Sequence, residues 1–142
     1  MKKVVFISPH PDDETLGCGG TLLSHQSKGD EIHWLIATDI KEADGFSAES
    51  VSAREAEIKH VSDLYGFDSV HRLGFSTMKV DHYSMGDLVS KISSVINEIQ
   101  PNIIYLPFKS DVHSDHRIIF NAAYSCTKTF RYPFIQKIYM KD

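Results

Sequence analysis

The chain has 142 residues, a length that suits one domain and suffices to bury a core. Its hydrophobic share of 42% and charged share of 24% are those of an ordinary water-soluble globule. A formal charge of -4 leaves no polybasic footprint for nucleic acid or an anionic membrane, and no apolar stretch approaches the roughly 20 residues of a membrane span.

From the amino end, Met1-Lys2-Lys3 followed by apolar residues 4–7 imitates the start of a secretory leader. The run breaks at Ser8-Pro9, short of the roughly 7–15 apolar residues a leader requires, so a cytoplasmic location is expected. Residues 3–8 predict a buried strand. Residues 15–28 carry Leu16, Leu22 and Leu23 and stop at Gly29, predicting a helix whose start is blurred by Gly17, Gly19 and Gly20. The Gly17-Cys18-Gly19-Gly20 run misses the dinucleotide pattern because Leu22 stands where its last glycine would be. Residues 31–38, with Ile32, Trp34, Leu35 and Ile36, predict a second strand, and 39–49 a polar loop. Residues 50–65 place Val51, Ile58, Val61, Leu64 and Tyr65 at mostly helical spacing before Gly66. A short third strand is predicted at 69–73. A helix follows at 85–100 with Leu88, Ile92, Val95, Ile96 and Ile99 on one face, ended by Pro101. A fourth strand at 102–106, a helix at 116–127 and a fifth strand at 134–140 complete the chain.

Strands separated by helices predict an α/β, Rossmann-like layered domain over residues 1–142, with a mostly parallel sheet of about five strands and helices on both faces. Cys18 and Cys126 are expected to be free thiols, and Cys18 lies near enough to the first polar cluster to be weighed as a ligand. His25, His33, His60, His71 and His82 fall in no ligand pattern and are expected at the surface or satisfied inside. Tyr124, Phe130, Tyr132 and Phe134 form an aromatic group, read as core or as an exposed patch.

Two clusters carry the chemistry. His10-Pro11-Asp12-Asp13-Glu14 leaves the first strand, and Asp111-Val112-His113-Ser114-Asp115-His116 leaves the fourth. Ligands of open α/β sheets bind at the carboxyl ends of strands, so the two clusters share an edge. A hydrolytic zinc site takes three protein ligands from His, Asp, Glu or Cys and leaves a position for water, whose pKa falls to about 7. A carboxylate off the metal can take the water's proton, and an imidazole can donate to the leaving group. Asp12 and Asp13 point in different directions on an extended or turning backbone, so one can coordinate while the other acts as base. His113 and His116 would face one pocket if the helix begins near Ser114. Residue chemistry does not say which member of each pair holds the metal. Taken singly, either cluster also fits a plain role, an aspartate capping a helix or a solvated His-x-Asp-His turn. Their convergence on one edge favours the metal site.

The same residues resemble the LmbE-like or PIG-L family of zinc-dependent N-acetylglucosaminyl deacetylases. Ser8-Pro9-His10-Pro11-Asp12-Asp13-Glu14 is similar to the family's (A)HPDDE motif, and Pro101 through His116 to its D-x-H-x-D-H motif. Arg54-Glu55-Ala56-Glu57 and Leu73-Gly74 also fit, so the resemblance covers nearly the whole chain. It implies zinc held by His10, Asp13 and His116; such a donor set also accepts iron or cobalt. It implies Asp12 as general base, His113 as the acid serving the departing amine or the group that steadies the tetrahedral intermediate, and Asp115 as the carboxylate that holds and tunes a histidine. Arg54 matches a substrate-binding arginine, and equally reads as a surface pair at i,i+3. Glu14 is left between a supporting role and a first-turn charge. The implied reaction is hydrolysis of the N-acetyl group of an N-acetylglucosamine-type sugar conjugate, the partner being a small N-acetylated amino sugar.

Three departures from the family pattern bear on the substrate side. The chain ends at Lys141-Asp142 where relatives continue, so it is expected to be short at the carboxyl end, as a truncated copy, a fragment, or a chain whose pocket is completed by another subunit in a homo-oligomer. Thr38-Asp39-Ile40 lacks the usual Thr-x-Gly, and residues 76–84 look differently arranged. The competing reading is a non-catalytic or truncated metal-binding relic serving as a ligand-binding or assembly module. A third is an enzyme of the same chemistry acting on another amide or an ester.

Overall fold

The computed structural model describes residues 1–11, 13–107 and 113–141, with backbone alone for 13–18 and 141. In chain order the elements are β1 (Lys3–Ser8), α1 (Asp13–Ser27), β2 (Glu31–Asp39), α2 (Ala48–Tyr65), β3 (Ser69–Ser76), α3 (Met85–Ile99), β4 (Ile103–Pro107), α4 (Ser114–Tyr124) and β5 (Lys137–Lys141). Short 3-10 turns occupy Glu42–Asp44 and Val80–His82. The five strands form one parallel sheet in the order β3-β2-β1-β4-β5. This is the α/β architecture expected from the alternation of strands and helices.

Successive strand residues point to opposite faces, and here both faces are covered, so the inner strands are apolar almost throughout. Val5 and Ile7 of β1 pack with Leu35, Leu73 and Phe75 against Ile92 and Ile96 of α3 and Ile119 of α4. Val4 and Phe6 turn the other way, onto Leu22 of α1. Trp34 and Ile36 meet Ile58 of α2 on that same side. Among the described residues no helix is long and apolar enough to cross a membrane.

Several boundaries differ from the expectation for local reasons. α2 begins two residues early because Ser47 caps it, its hydroxyl accepting from the Ser50 N–H. β3 continues past Leu73 to Ser76, since Gly74 adopts φ 79 and carries the strand on instead of ending it. α4 starts at Ser114, two residues before His116, capped by the His113 side chain. β5 starts at Lys137, three residues late, because Phe134 and Ile135 pack against the α3–α4 side of the core instead of pairing. Leu64 is 61% exposed, so the α2 stripe is narrower than its spacing suggested.

Cys126 is a buried free thiol, and the Cys18 side chain lies outside the described residues. His25 is buried and satisfied, bonded to Asp30 at 2.8 Å and to the Tyr105 hydroxyl at 2.9 Å. His33 is likewise buried between Glu31 and Ser69. The aromatic group divides: Tyr132 is core and Phe134 packs on it, whereas Tyr124 and Phe130 are exposed.

Ile92 is fully buried, so Ile92→Ala should cost about 2–5 kcal/mol in urea unfolding. Leu64→Ala should stay within about 0.5 kcal/mol of the parent, and equal losses would contradict this division of the apolar residues.

Candidate metal centre

The strand order reverses between β1 and β4: the chain winds outward from β1 to β2 and β3, then returns to place β4 on the other side of β1. The crevice at such a switch point lies beyond the carboxyl ends of both strands. His10 emerges there from β1, and His113 and His116 from the start of α4. Their rings converge, with centroids 4.7 Å apart for His10–His113 and 5.2 Å for both His10–His116 and His113–His116.

Beneath the rings lies Asp115, fully buried. Its Oδ2 accepts from His10 Nε2 at 2.9 Å and from the Met78 N–H at 2.6 Å, and its Oδ1 accepts from the Val80 N–H at 3.3 Å. Burial pushes the Asp115 carboxyl up, but the hydrogen bonds from His10, Met78 and Val80 outweigh it and hold the group below the usual carboxylate range. An ionised carboxylate only accepts, so the network assigns the His10 proton to Nε2 and the lone pair of the neutral ring to Nδ1. The backbone N–H of Asp115 donates to His113 Nδ1 at 3.1 Å, which puts the proton of a neutral His113 on Nε2.

One ligand atom each from His10, His113 and Asp115 lie within 4.8 Å of one another, a spacing that one cation can bridge. This trio is not the expected ligand set of His10, Asp13 and His116. His116 is present in the cluster, whereas the Asp13, Glu14 and Cys18 side chains, and all of Asp12 and Asp111, lie outside the described residues. Asp115 already accepts three hydrogen bonds, which suits it better to orienting His10 than to coordination. Imidazole nitrogens are a donor set that fits zinc and its borderline-soft neighbours.

The segment the sequence marked as differently arranged proves to be part of the support. Met78 adopts φ 64, uncommon for a residue with a side chain, and this turn aims its N–H at Asp115. The Val80–His82 turn presents the Val80 N–H beside it. Sequence reasoning missed both donors, because a backbone N–H leaves no residue-type signal. On the β2 side, Thr38 donates its N–H and its hydroxyl to the Pro9 carbonyl at 3.1 and 2.7 Å, anchoring the turn that carries His10. Ile40, standing where relatives have glycine, is buried.

Arg54 sits on α2 with its Nε 3.6 Å from Glu57, the i,i+3 pair named as its other reading, and the described contacts do not join it to the imidazoles. Arg72 is the arginine with the tighter network. Its guanidinium donates to both Glu55 oxygens, at 2.9 and 2.8 Å, and to Asp39 at the end of β2. The Glu55 bonds, opposed by burial and aided by Asp39, raise the Arg72 pKa further, and Arg72 in turn holds Glu55 below its ordinary value.

The fold and site together define a doubly wound α/β domain with a histidine-rich cluster, suited to a metal ion, at its switch point. Residues 5–127 match the PIG-L family, described as GlcNAc-PI de-N-acetylase, and the chain belongs to that family. It is 30% identical over 124 residues to a diacetylchitobiose deacetylase of Thermococcus kodakarensis, spanning 82% of this chain and 46% of that protein. The structure of N,N'-diacetylchitobiose deacetylase from Pyrococcus horikoshii superposes with a TM-score of 0.77 at 25% identity, covering 95% of this chain and 52% of that one. A conserved protein of Thermus thermophilus superposes with a TM-score of 0.82 at 23% identity, covering 99% of this chain and 66% of that one. The chain thus spans about half the length of the two deacetylases.

Asp115→Asn sets an amide N–H₂ against groups that all donate, leaving one buried donor unpaired. The expected outcome is a loss of about 1–3 kcal/mol in unfolding and about 10–100-fold weaker metal binding in a chelator competition. Unchanged metal affinity would remove Asp115 from the support of the cluster. Because Glu55 titrates lower when folded, its contribution is present above the unfolded value near 4.5 and is lost as pH falls through the folded one. The stability gap between parent and Glu55→Gln, under about 1 kcal/mol for so exposed a pair, should therefore close on acidification through that window.

Proposed function

We propose that this chain is a metal-dependent hydrolase that removes the N-acetyl group from an N-acetylglucosamine-type sugar conjugate. The observation that carries the reading is the convergence of three imidazoles on a buried, hydrogen-bonded carboxylate at the strand switch point, in a member of the PIG-L family. The deacetylase activity named for the Thermococcus relative supports the reaction type.

In this reading His10, Asp13 and His116 hold the ion, zinc by preference, with iron or cobalt compatible with the same donors. When bound, the ion supplies a Lewis acid that polarises the amide carbonyl and lets water attack near neutral pH. Asp12 takes a proton from the attacking water as its oxygen bonds to the acyl carbon. The proton taken by Asp12 ends on the sugar nitrogen as the C–N bond breaks, with the Nε2–H of His113 serving the departing amine or steadying the tetrahedral intermediate, so the products are acetate and a free amine. The hydrogen bond that leaves the His113 proton on Nε2 supports this donor role. Asp115 keeps the His10 ring turned so that Nδ1 faces the ion. Arg54 is the proposed contact to substrate, which requires it to exchange Glu57 for the sugar. The substrate is a small molecule, and a cytoplasmic location is the reading of the composition.

The test is acetate release from N-acetylglucosamine conjugates by zinc-loaded protein. Asp12→Asn and His113→Gln should each keep one metal per chain and lower kcat about 10²–10⁴-fold. His10→Ala and His116→Ala should instead lose the metal. A parent protein that holds one metal and releases no acetate across the panel would overturn the enzyme reading in favour of a ligand-binding module.

A further inference from the structure

Two strands away from the imidazoles, on the same edge of the sheet, the end of β3 and the first turns of α3 enclose a cleft of about 430 Å³. Its walls are Phe75 and Tyr83, packed edge to face with centroids 4.6 Å apart, and its polar groups come from Lys41, Asp87, Ser90 and Lys91. The walls are fixed. Tyr83 accepts from the Ser76 N–H at 3.0 Å and donates to the Ser76 hydroxyl at 3.3 Å. Lys91 lies over the Phe75 ring at 5.4 Å and donates to the Leu73 carbonyl at 3.3 Å, so its ammonium is held at the rim instead of sweeping through solvent.

The charge of this cleft runs against that of the chain. Two lysines face one aspartate here, while the chain as a whole carries -4. A concave surface with an excess of one sign, walled by aromatic rings, concentrates counter-ions of the other sign. Asp87 and Ser90 sit in the opening turns of the 15-residue helix α3, whose amino end adds a partial positive charge. None of these side chains takes part in the proposed hydrolysis.

We propose that this cleft binds a small oxyanion, a phosphate or carboxylate group, between Lys41 and Lys91, with the Ser90 hydroxyl as a further donor. The anion has two sources, a free ion or a group carried on a longer ligand whose sugar lies at the imidazoles. Two strand spacings amount to about 10 Å, within reach of such a ligand. The segment between them serves both sites: Met78 and Val80 face Asp115, and Tyr83 faces the cleft.

The experiment is a titration of the ¹⁵N-labelled, metal-loaded full chain with inorganic phosphate, followed by amide shifts. Saturable shifts are expected at Lys41, Ser90 and Lys91, weakened roughly tenfold or more in Lys41→Gln/Lys91→Gln. Lys137→Gln/Lys141→Gln, an equal charge change on β5, should leave them unaltered. Lys41→Gln alone should show a partial loss, which guards against a disturbance of the Phe75 packing by the Lys91 change. Absence of shifts, shifts confined to His10, His113 and His116, or equal affinity in the double variant would each overturn the site. Glucosamine 6-phosphate then separates the sources. Binding roughly tenfold tighter than phosphate, with added shifts at His113, supports a substrate-borne anion; equal binding confined to the cleft supports a free one. The readout does not depend on acetate release, so it stands or falls apart from the reaction proposed above.

Discussion

The buried carboxylate of Asp115 is the interaction on which the rest of the centre depends. An ionised group with no contact to water is costly unless its lone pairs are met, and three donors meet them here. Those donors come from two distant stretches of chain, the exit of β1 and the turn after β3, and Asp115 itself belongs to a third, the start of α4. The carboxylate therefore closes a ring of segments that share no local sequence. It can do so because the sheet order sets β1 beside β4, bringing residues 10 and 115 to one crevice.

Support reaches His10 from the β2 side as well. The Trp34 indole N–H donates to the Ser8 hydroxyl at 3.0 Å, both groups being fully buried. Thr38 then takes up the Pro9 carbonyl through two donors. The strand exit is thus held one and two residues before His10, and the ring is held at its Nε2. A cluster meant to bind an ion gains from this order, because ligands already in place lose little freedom when the ion arrives.

Much of the fold was legible because burial writes itself into residue type. β1 matched its predicted span, since five successive buried residues from Val4 to Ser8 leave little choice. α3 was readable from Leu88, Ile92, Val95, Ile96 and Ile99, all buried on one stripe. Leu64 misled, because helical spacing says which residues share a face and not how wide a face the sheet will cover. The third strand was read too short, ending at Leu73, whereas the left-handed φ of Gly74 lets it go on to Ser76. At the site, the histidines and Asp115 were visible as motif members, but the Met78 and Val80 donors were not. Backbone amides act through position alone, and that position exists only once α3 and the sheet have packed. The partner of Arg72 was hidden for the same reason, since Asp39 and Glu55 meet it across two strands and a helix.

Asp115 also does something that the motif does not reveal. Its carboxylate takes the proton side of His10, while its backbone N–H gives to the acceptor side of His113. One residue therefore engages two neighbouring imidazoles at opposite nitrogens, and each ring when neutral has its proton on Nε2 and its lone pair on Nδ1. In His10 the nitrogen away from that bond carries the lone pair, which suits a cation, and in His113 it carries the N–H, which suits a hydrogen-bond donor, although the rings are 4.7 Å apart. The division follows from helix capping as much as from electrostatics: His113 accepts that N–H because it occupies the N-cap of α4. Where α4 begins thus decides which nitrogen of His113 accepts, and a helix started at His116 would leave that choice unmade.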